Sequence, residues 1–147
     1  MAIVRNVAVA AMLTAVYVGA ANAGASANLN AEMRSFYDIL LTEAKKADPS
    51  VKSFSAEEGH KFFLAKHVNK ENGEERSCSK CHTSDPKQKG QTPVGKSIEP
   101  MAMSVNKDRF TERAKVEKWF KRNCQWVLGR QCTAKEKGDY IAYMSSL

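Results

Sequence analysis

The chain has 147 residues, a formal net charge of +7 and 43% hydrophobic residues, which suits one small domain around one core. Its lysines and arginines are dispersed, and no module that combines aromatic and basic residues occurs, so nucleic-acid binding is not expected. The positive charge fits an acidic protein partner and fits equally well a role in solubility alone.

Residues 1–23 have the composition of a secretory signal peptide. Arg5 precedes an apolar run, and Ala21-Asn22-Ala23 forms a small-x-small cleavage site ahead of Gly24. The apolar run is short for a bilayer, and no stop-transfer charges follow it. We therefore expect a mature domain of residues 24–147 that is exported to the periplasm as a soluble protein without a membrane span.

Apolar residues recur at helical spacing along the mature chain, and no alternating run is long enough to predict a strand. A first helix is predicted from Asn30 to Lys46, before Asp48-Pro49. A second is predicted to start at Ser55, because Ser55-Ala56-Glu57-Glu58 matches a capping box. The apolar face of the first helix consists of Met33, Phe36, Tyr37, Leu40, Leu41 and Ala44.

The segment Cys78-Ser79-Lys80-Cys81-His82 has the C-x-x-C-H spacing of a c-type haem attachment site. Two thiols at this spacing can bond to the two vinyl groups of one haem, and His82 is placed to bind its iron as the proximal ligand. A zinc site would need a second ligand pair, and a thioredoxin-like C-x-x-C would need a βαβ setting. Because the motif occurs once, one haem c is expected, attached through Cys78 and Cys81.

After this motif the sequence predicts a loop and two more helices. Residues 85–105 are rich in Gly, Pro, Lys and Gln, which favours a long loop over one haem edge. A third helix is predicted from Thr111 to about Asn123. Thr133-Ala134-Lys135-Glu136 is a second capping box, which starts the last helix. The buried stripe of that helix is expected to be Tyr140, Ile141, Met144 and Leu147.

This order of elements resembles a class I cytochrome c, an all-α fold around one covalent haem, with an extra helix at the N-terminus. In that family the helix before the haem motif and the last helix cross at a glycine and aromatic contact. Gly59 with Phe63 and either Tyr140 or Tyr143 could supply it. The gap between Phe63 and the motif is long for the family, so a polar insertion is expected at residues 70–76.

The ligand on the far side of the iron from His82 decides between electron transfer and ligand binding. Met101 and Met103 are candidates, because a methionine thioether closes the site of an ordinary electron carrier. They follow His82 at a short distance along the chain, and methionine is also a common core residue. His60 and His67 could form a bis-histidine site, but both precede the motif on a helix that should run past the haem edge. They are therefore expected to be solvated or capping residues.

Asn123 is a further candidate. Val116, Trp119, Phe120 and Asn123 fall at i, i+3, i+4 and i+7, so the amide is expected to continue the stripe that faces the core. A buried amide needs a partner. On spacing alone, Asn123 is also explained as a residue that satisfies backbone groups at the end of its helix.

Four segments of the chain resemble the sphaeroides haem protein family of monohaem cytochromes c, and the resemblance extends from about Tyr37 to Leu147. The segments are residues 95–100 (GKSIEP), 106–111 (NKDRFT), 114–124 (AKVEKWFKRNC) and 129–133 (GRQCT).

The resemblance implies that the side-chain oxygen of Asn123 binds ferric iron as the distal ligand and that Cys124 and Cys132 form a disulfide. It also implies electron delivery from a dihaem cytochrome c, itself supplied by a membrane b-type cytochrome. The ligands that it implies are oxygen, nitric oxide or other small nitrogenous species.

An amide oxygen is a weak, hard donor that suits Fe(III) better than Fe(II), so reduction could open a coordination position. We therefore expect an electron-transfer and ligand-binding protein. The leading alternative is a plain electron carrier closed by Met101 or Met103. A terminal reductase of oxygen or nitrogen oxides would need a general acid over the iron, and no catalytic residue is identified. Arg122 and Arg130 are expected to be surface residues.

Overall fold

The computed structural model describes residues 27–147. The signal peptide predicted at residues 1–23 lies outside this part of the chain. Among residues 27–147, no helix is both long enough and apolar enough to cross a membrane.

Helices dominate the described chain, and two short hairpins supplement them. The helices are α1 (Ala31–Ala47), α2 (Ala56–Leu64), α3 (Ser79–His82), α4 (Arg113–Leu128) and α5 (Ala134–Ser146). The strands are β1 (His67–Val68), β2 (Glu75–Arg76), β3 (Gly90–Gln91) and β4 (Ser97–Ile98). Strands β1 and β2 pair antiparallel, as do β3 and β4. The expected all-α architecture, with an added helix ahead of the others, is therefore confirmed.

Helices α2 and α5 cross at Gly59, as the resemblance to class I cytochromes c implies. A Cβ at position 59 would overlap the carbonyl oxygen of Asp139 and would lie 2.9 Å from the Cβ of Tyr143. The Phe63 ring next to this crossing lies 6.2 Å from the Tyr140 ring and 5.9 Å from the Tyr143 ring, between centroids. Both tyrosines therefore take part in the contact, and only glycine allows the two backbones to approach this closely.

Helix α1 also packs on α5. Asn30 caps it by accepting a hydrogen bond from the Met33 backbone N–H at 2.9 Å. Its buried residues are Met33, Phe36, Tyr37, Leu40 and Ala44. The predicted apolar face is thus confirmed, apart from Leu41, which is only partly buried.

The two predicted capping boxes differ. Thr133 and Glu136 form a complete box at the start of α5. Ser55 caps α2 by accepting from the Glu58 N–H, but the Glu58 carboxylate binds Lys61 instead of reaching back. The Ser55 N–H donates to Asp139 Oδ1 at 2.8 Å. The second half of this box was therefore predicted wrongly, because a buried carboxylate of α5 takes the place of Glu58.

Helix α4 is longer than predicted, because it continues past Asn123 to Leu128. Val127 and Leu128 are buried, and Gly129 ends the helix in a left-handed conformation with φ of 64°. The glycine signal was present in the sequence. The interpretation of Asn123 as a residue that ends its helix is therefore wrong.

Replacing Gly59 by Ala is expected to destabilise the fold by about 1–3 kcal/mol, because the new methyl group overpacks the α2–α5 crossing. Helix propensity alone would favour alanine by about 0.5–1 kcal/mol, so the sign of the change identifies the close approach. Chemical denaturation of the haem-loaded protein measures it. Glu57→Ala, on the exposed face of α2, is the control and should change the free energy of unfolding by less than about 0.5 kcal/mol. A Gly59→Ala variant as stable as the parent would contradict the contact.

Candidate haem site

The C-x-x-C-H segment folds as one helical turn. The His82 backbone N–H donates to the Cys78 carbonyl at 3.2 Å, and the Ser77 hydroxyl accepts from the Lys80 N–H at 3.1 Å. Cys78 and Cys81 both lie at partly buried positions, and neither takes part in a disulfide. Burial raises the pKa of the Cys78 thiol to about 11, which indicates an apolar setting.

The His82 imidazole has the state that an iron ligand requires. Burial, and secondarily the nearby charge of Arg109, lower the pKa of His82 to about 4. Its Nδ1 is buried and has no hydrogen-bond partner. The ring is therefore neutral at pH 7, which is the form of histidine that binds metals.

The β3–β4 hairpin packs directly against this turn. A Cβ at Gly90 would overlap the Cys81 carbonyl oxygen and would lie 2.9 Å from the His82 Cα. Position 90 therefore requires glycine for close packing. The hairpin lies within residues 85–105, for which the sequence predicted a loop beside the haem.

Arg109 fixes the loop that contains the two candidate methionines, and sequence reasoning missed this role. Its Nε donates to the Pro100 carbonyl at 2.9 Å, and its guanidinium charge acts on His82. The Met101 N–H in turn donates to the carbonyl of Pro86 at 2.8 Å. The loop is thus bound to the chain that leaves His82 and to a cation beside His82.

Both methionines are partly buried and pack on the core. The Met103 N–H donates to the Met144 carbonyl near the end of α5 at 3.1 Å.

The two other histidines make protein contacts. His67 Nε2 lies 2.9 Å from the Phe62 carbonyl oxygen near the end of α2, as expected of a capping residue. His60 is exposed and its ring lies 4.8 Å from that of Tyr143.

Asn123 is exposed rather than buried, so the expectation that its amide faces the core was wrong. The buried face of α4 consists of Val116, Phe120, Cys124, Val127 and Leu128. Trp119 and Trp126 are 45% and 38% exposed, and with Asn123 they occupy one neighbouring stripe at i, i+4 and i+7. The error arose because a helix of this length carries two apolar stripes, and only one of them packs on the core.

One residue of the exposed stripe of α4, Trp126, lines a cleft beside the haem motif. An open cleft of about 1060 Å³ lies between Trp126, the β1–β2 hairpin, Cys81 and the β3–β4 hairpin. Asn123 lies one helical turn before Trp126. A haem attached through Cys81 would therefore find one large aromatic side chain, Trp126, in the cleft beside its attachment point, and with the neutral imidazole of His82 these residues fit the cofactor.

Cys124 and Cys132 form a disulfide, with their Cα atoms 5.5 Å apart. This bond joins α4, immediately after Asn123, to the segment that precedes α5.

Two nearby arginines make contacts with other side chains. Arg130 binds Glu136 at 2.8 and 2.6 Å through two nitrogens, and Arg122 lies over the Trp119 ring at 5.2 Å.

Comparison with known proteins agrees with this geometry. A family described as a domain of unknown function, DUF1924, matches residues 49–144. The chain is 44% identical to the cytochrome c-type protein SHP of Cereibacter sphaeroides over 62% of this chain and 70% of that protein.

Two solved structures are also similar. The solution structure of cytochrome c'' from Methylophilus methylotrophus, which addresses haem-ligand detachment in that protein, matches with a TM-score of 0.70 and 34% identity, over 79% of this chain and 94% of that one. Oxidised SHP, an oxygen-binding cytochrome c, matches with a TM-score of 0.60 and 38% identity, over 74% and 94%.

The helical fold, the C-x-x-C-H turn and these relatives define a monohaem c-type cytochrome with a covalently attached haem c. The chain belongs to the sphaeroides haem protein family of such cytochromes.

Replacing Cys124 and Cys132 together by serine is expected to destabilise the haem-loaded protein by about 2–4 kcal/mol, because the unfolded chain loses its cross-link. Denaturant unfolding without reductant measures the change. Alkylation of the unfolded, unreduced parent should label no thiol, and prior reduction should expose two, which serves as the control. Two thiols labelled without reduction would contradict the disulfide.

Proposed function

We propose that this protein is a periplasmic, electron-accepting cytochrome in which Asn123 is a redox-releasable distal ligand, and that small ligands bind when it is reduced. Haem c, when bound, supplies an iron that cycles between ferric and ferrous states and accepts one ligand on each face. His82 would hold the iron as the proximal ligand. Asn123 would hold it as the distal ligand only in the ferric state and so would control the access of small ligands.

The position of α4 is the observation that supports Asn123. Trp126 of this helix lines the cleft next to Cys81, and the exposed Asn123 lies one helical turn before it. Four other asparagines, Asn28, Asn30, Asn69 and Asn106, donate to backbone carbonyls. Among the contacts within residues 27–147, Asn123 makes no such side-chain hydrogen bond. Its side-chain oxygen is therefore available as an iron ligand.

The candidate methionines have a less suitable position. Arg109 Nε donates to the Pro100 carbonyl and the Met101 N–H donates to the Pro86 carbonyl, so the loop that contains Met101 is bound to the chain that leaves His82, the proposed proximal ligand. A distal ligand must approach from the other side. This arrangement favours Asn123 over a plain electron carrier closed by Met101 or Met103.

The chemistry of an amide oxygen gives the site its redox dependence. A neutral oxygen donor is hard and weak, so it suits Fe(III) and binds Fe(II) poorly. Asn123 lies within α4 and next to the disulfide, so its backbone is held while the side chain can rotate. Release therefore requires a change of side-chain rotamer rather than unfolding of the helix.

The relatives support the class of ligand. One is an oxygen-binding cytochrome, and the structure of another addresses haem-ligand detachment. For this chain we infer oxygen, nitric oxide or a similar small molecule as the ligand. A dihaem cytochrome c, supplied by a membrane b-type cytochrome, is the inferred electron donor, and the excess of basic over acidic residues would complement an acidic docking face on it.

A terminal reductase is the less favoured function. It would need a proton donor over the iron. The stripe on α4 offers Trp119, Asn123 and Trp126, none of which titrates near neutral pH. Binding and electron transfer need no such group.

Replacing Asn123 by Ala removes the proposed donor without altering His82. Ferric protein should then bind cyanide about tenfold faster or more, because no protein ligand has to leave first. Carbon monoxide binding to ferrous protein should change little. Stopped-flow absorption measures both rates, and Lys121→Ala, an exposed change on the same helix, is the control.

Asn123→Met and Asn123→His should instead drive the iron towards a low-spin, six-coordinate state and suppress ferrous ligand binding, because these donors hold Fe(II). An unchanged ferric spectrum and cyanide rate in Asn123→Ala would contradict the proposed distal ligand.

A further inference from the structure

The C-terminal end of α4 is closed by the β1–β2 hairpin, residues 67–76. The last four carbonyls of an α-helix lack partners within the helix. Here Asn69 Nδ2 donates to the Trp126 carbonyl at 2.9 Å and to the Gln125 carbonyl at 3.3 Å. The Lys70 N–H donates to the Leu128 carbonyl at 3.0 Å. The hairpin therefore supplies donors that the helix end needs.

Asn69 is the centre of this contact. It is 2% exposed, and its Oδ1 accepts from the backbone N–H groups of Glu71 and Asn72 at 2.9 and 3.3 Å. A Cβ at position 129 would lie only 2.6 Å from this Oδ1. Gly129, which ends α4 and has no side chain, therefore leaves room for Asn69. Both polar atoms of the buried amide thus have hydrogen-bond partners. The partners of Oδ1 lie within the hairpin, and those of Nδ2 lie on α4.

The same hairpin leads into the haem attachment turn. Arg76 Nη1 donates to the Trp126 carbonyl at 2.6 Å, and its guanidinium lies over the Trp126 ring at 4.5 Å. Cys78 follows Arg76 by only two residues. One short segment therefore connects the last turn of α4 to the residues that hold the haem.

We propose that Asn69 is a positioning residue that fixes the distance between the Asn123 amide and the Cys78–His82 turn. It acts through α4, since Asn123 lies within one turn of the Gln125 and Trp126 carbonyls that Asn69 binds. The disulfide holds the same helix from the α5 side, whereas the hairpin holds it from the haem side. This inference rests on the proposed role of Asn123.

The test compares Asn69→Ala with Asn72→Ala in the haem-loaded protein, each with Asn123 present and with Asn123→Ala. Asn72 is exposed, and its Oδ1 accepts only within the hairpin, from the Glu74 N–H at 3.1 Å. It therefore controls for general loosening of the hairpin. The measurements are the ferric spin state, the rate of cyanide association and the midpoint of thermal unfolding.

Asn69→Ala should raise the ferric cyanide rate about tenfold when Asn123 is present and should leave it within about twofold when Asn123 has been replaced. Asn72→Ala should change the rate less than twofold in both backgrounds, by the same reasoning. Equal acceleration by Asn69→Ala in both backgrounds would overturn the proposal, because the effect would not pass through Asn123.

The outcomes also separate the two proposals. If Asn123→Ala accelerates cyanide binding and Asn69→Ala does not, only the positioning role is overturned. If Asn123→Ala itself has no effect, the proposed function fails and the positioning role fails with it. Should Asn69→Ala not fold, Arg76→Gln removes the guanidinium from Trp126 and leaves Asn69 in place. It should accelerate cyanide binding in the same Asn123-dependent manner, and a rate equal to that of the parent would overturn the inference.

Discussion

The close crossing of α2 and α5 at Gly59 is the constraint on which the rest of this structure depends. It brings the Asp139 carboxylate to the Ser55 N–H at 2.8 Å and places Phe63 against Tyr140 and Tyr143. Tyr140 contacts the Phe120 ring of α4 edge-on, with centroids 5.6 Å apart. Because no side chain separates α2 from α5 at Gly59, the two helices approach closely, and Tyr140 of α5 then orients α4. Helix α4 carries the exposed stripe of Trp119, Asn123 and Trp126, of which Trp126 lines the cleft beside the haem motif.

Helix α4 is held at its C-terminal end from two directions. The disulfide joins Cys124 to Cys132 before α5, and Asn69 and Arg76 bind its last carbonyls from the side of the haem turn. A ligand residue on such a helix has little backbone freedom, so its release on reduction would depend on the side chain. This rigidity would favour a reversible switch between two side-chain positions over local unfolding.

Local signals predicted most of the fold, whereas long-range partners had to be observed. The Cys78–His82 motif and the Thr133 cap follow from short patterns with few alternatives, and the Gly59 contact was implied by the resemblance to class I cytochromes c. The exposure of Asn123 did not follow, because periodicity does not distinguish the core stripe of α4 from the neighbouring one. The roles of Asn69 and Arg109 depend on carbonyls that lie far away in sequence or in another loop, and no spacing rule connects them.

The absorption spectra of the purified ferric and ferrous protein test the proposed Asn123 switch most directly. An amide oxygen splits the iron d orbitals weakly, so the ferric protein should be high-spin, and reduction should leave a five-coordinate ferrous haem. A low-spin ferric spectrum with a methionine-to-iron charge-transfer band would contradict this switch. It would place Met101 or Met103 on the iron and reduce the function to electron transfer.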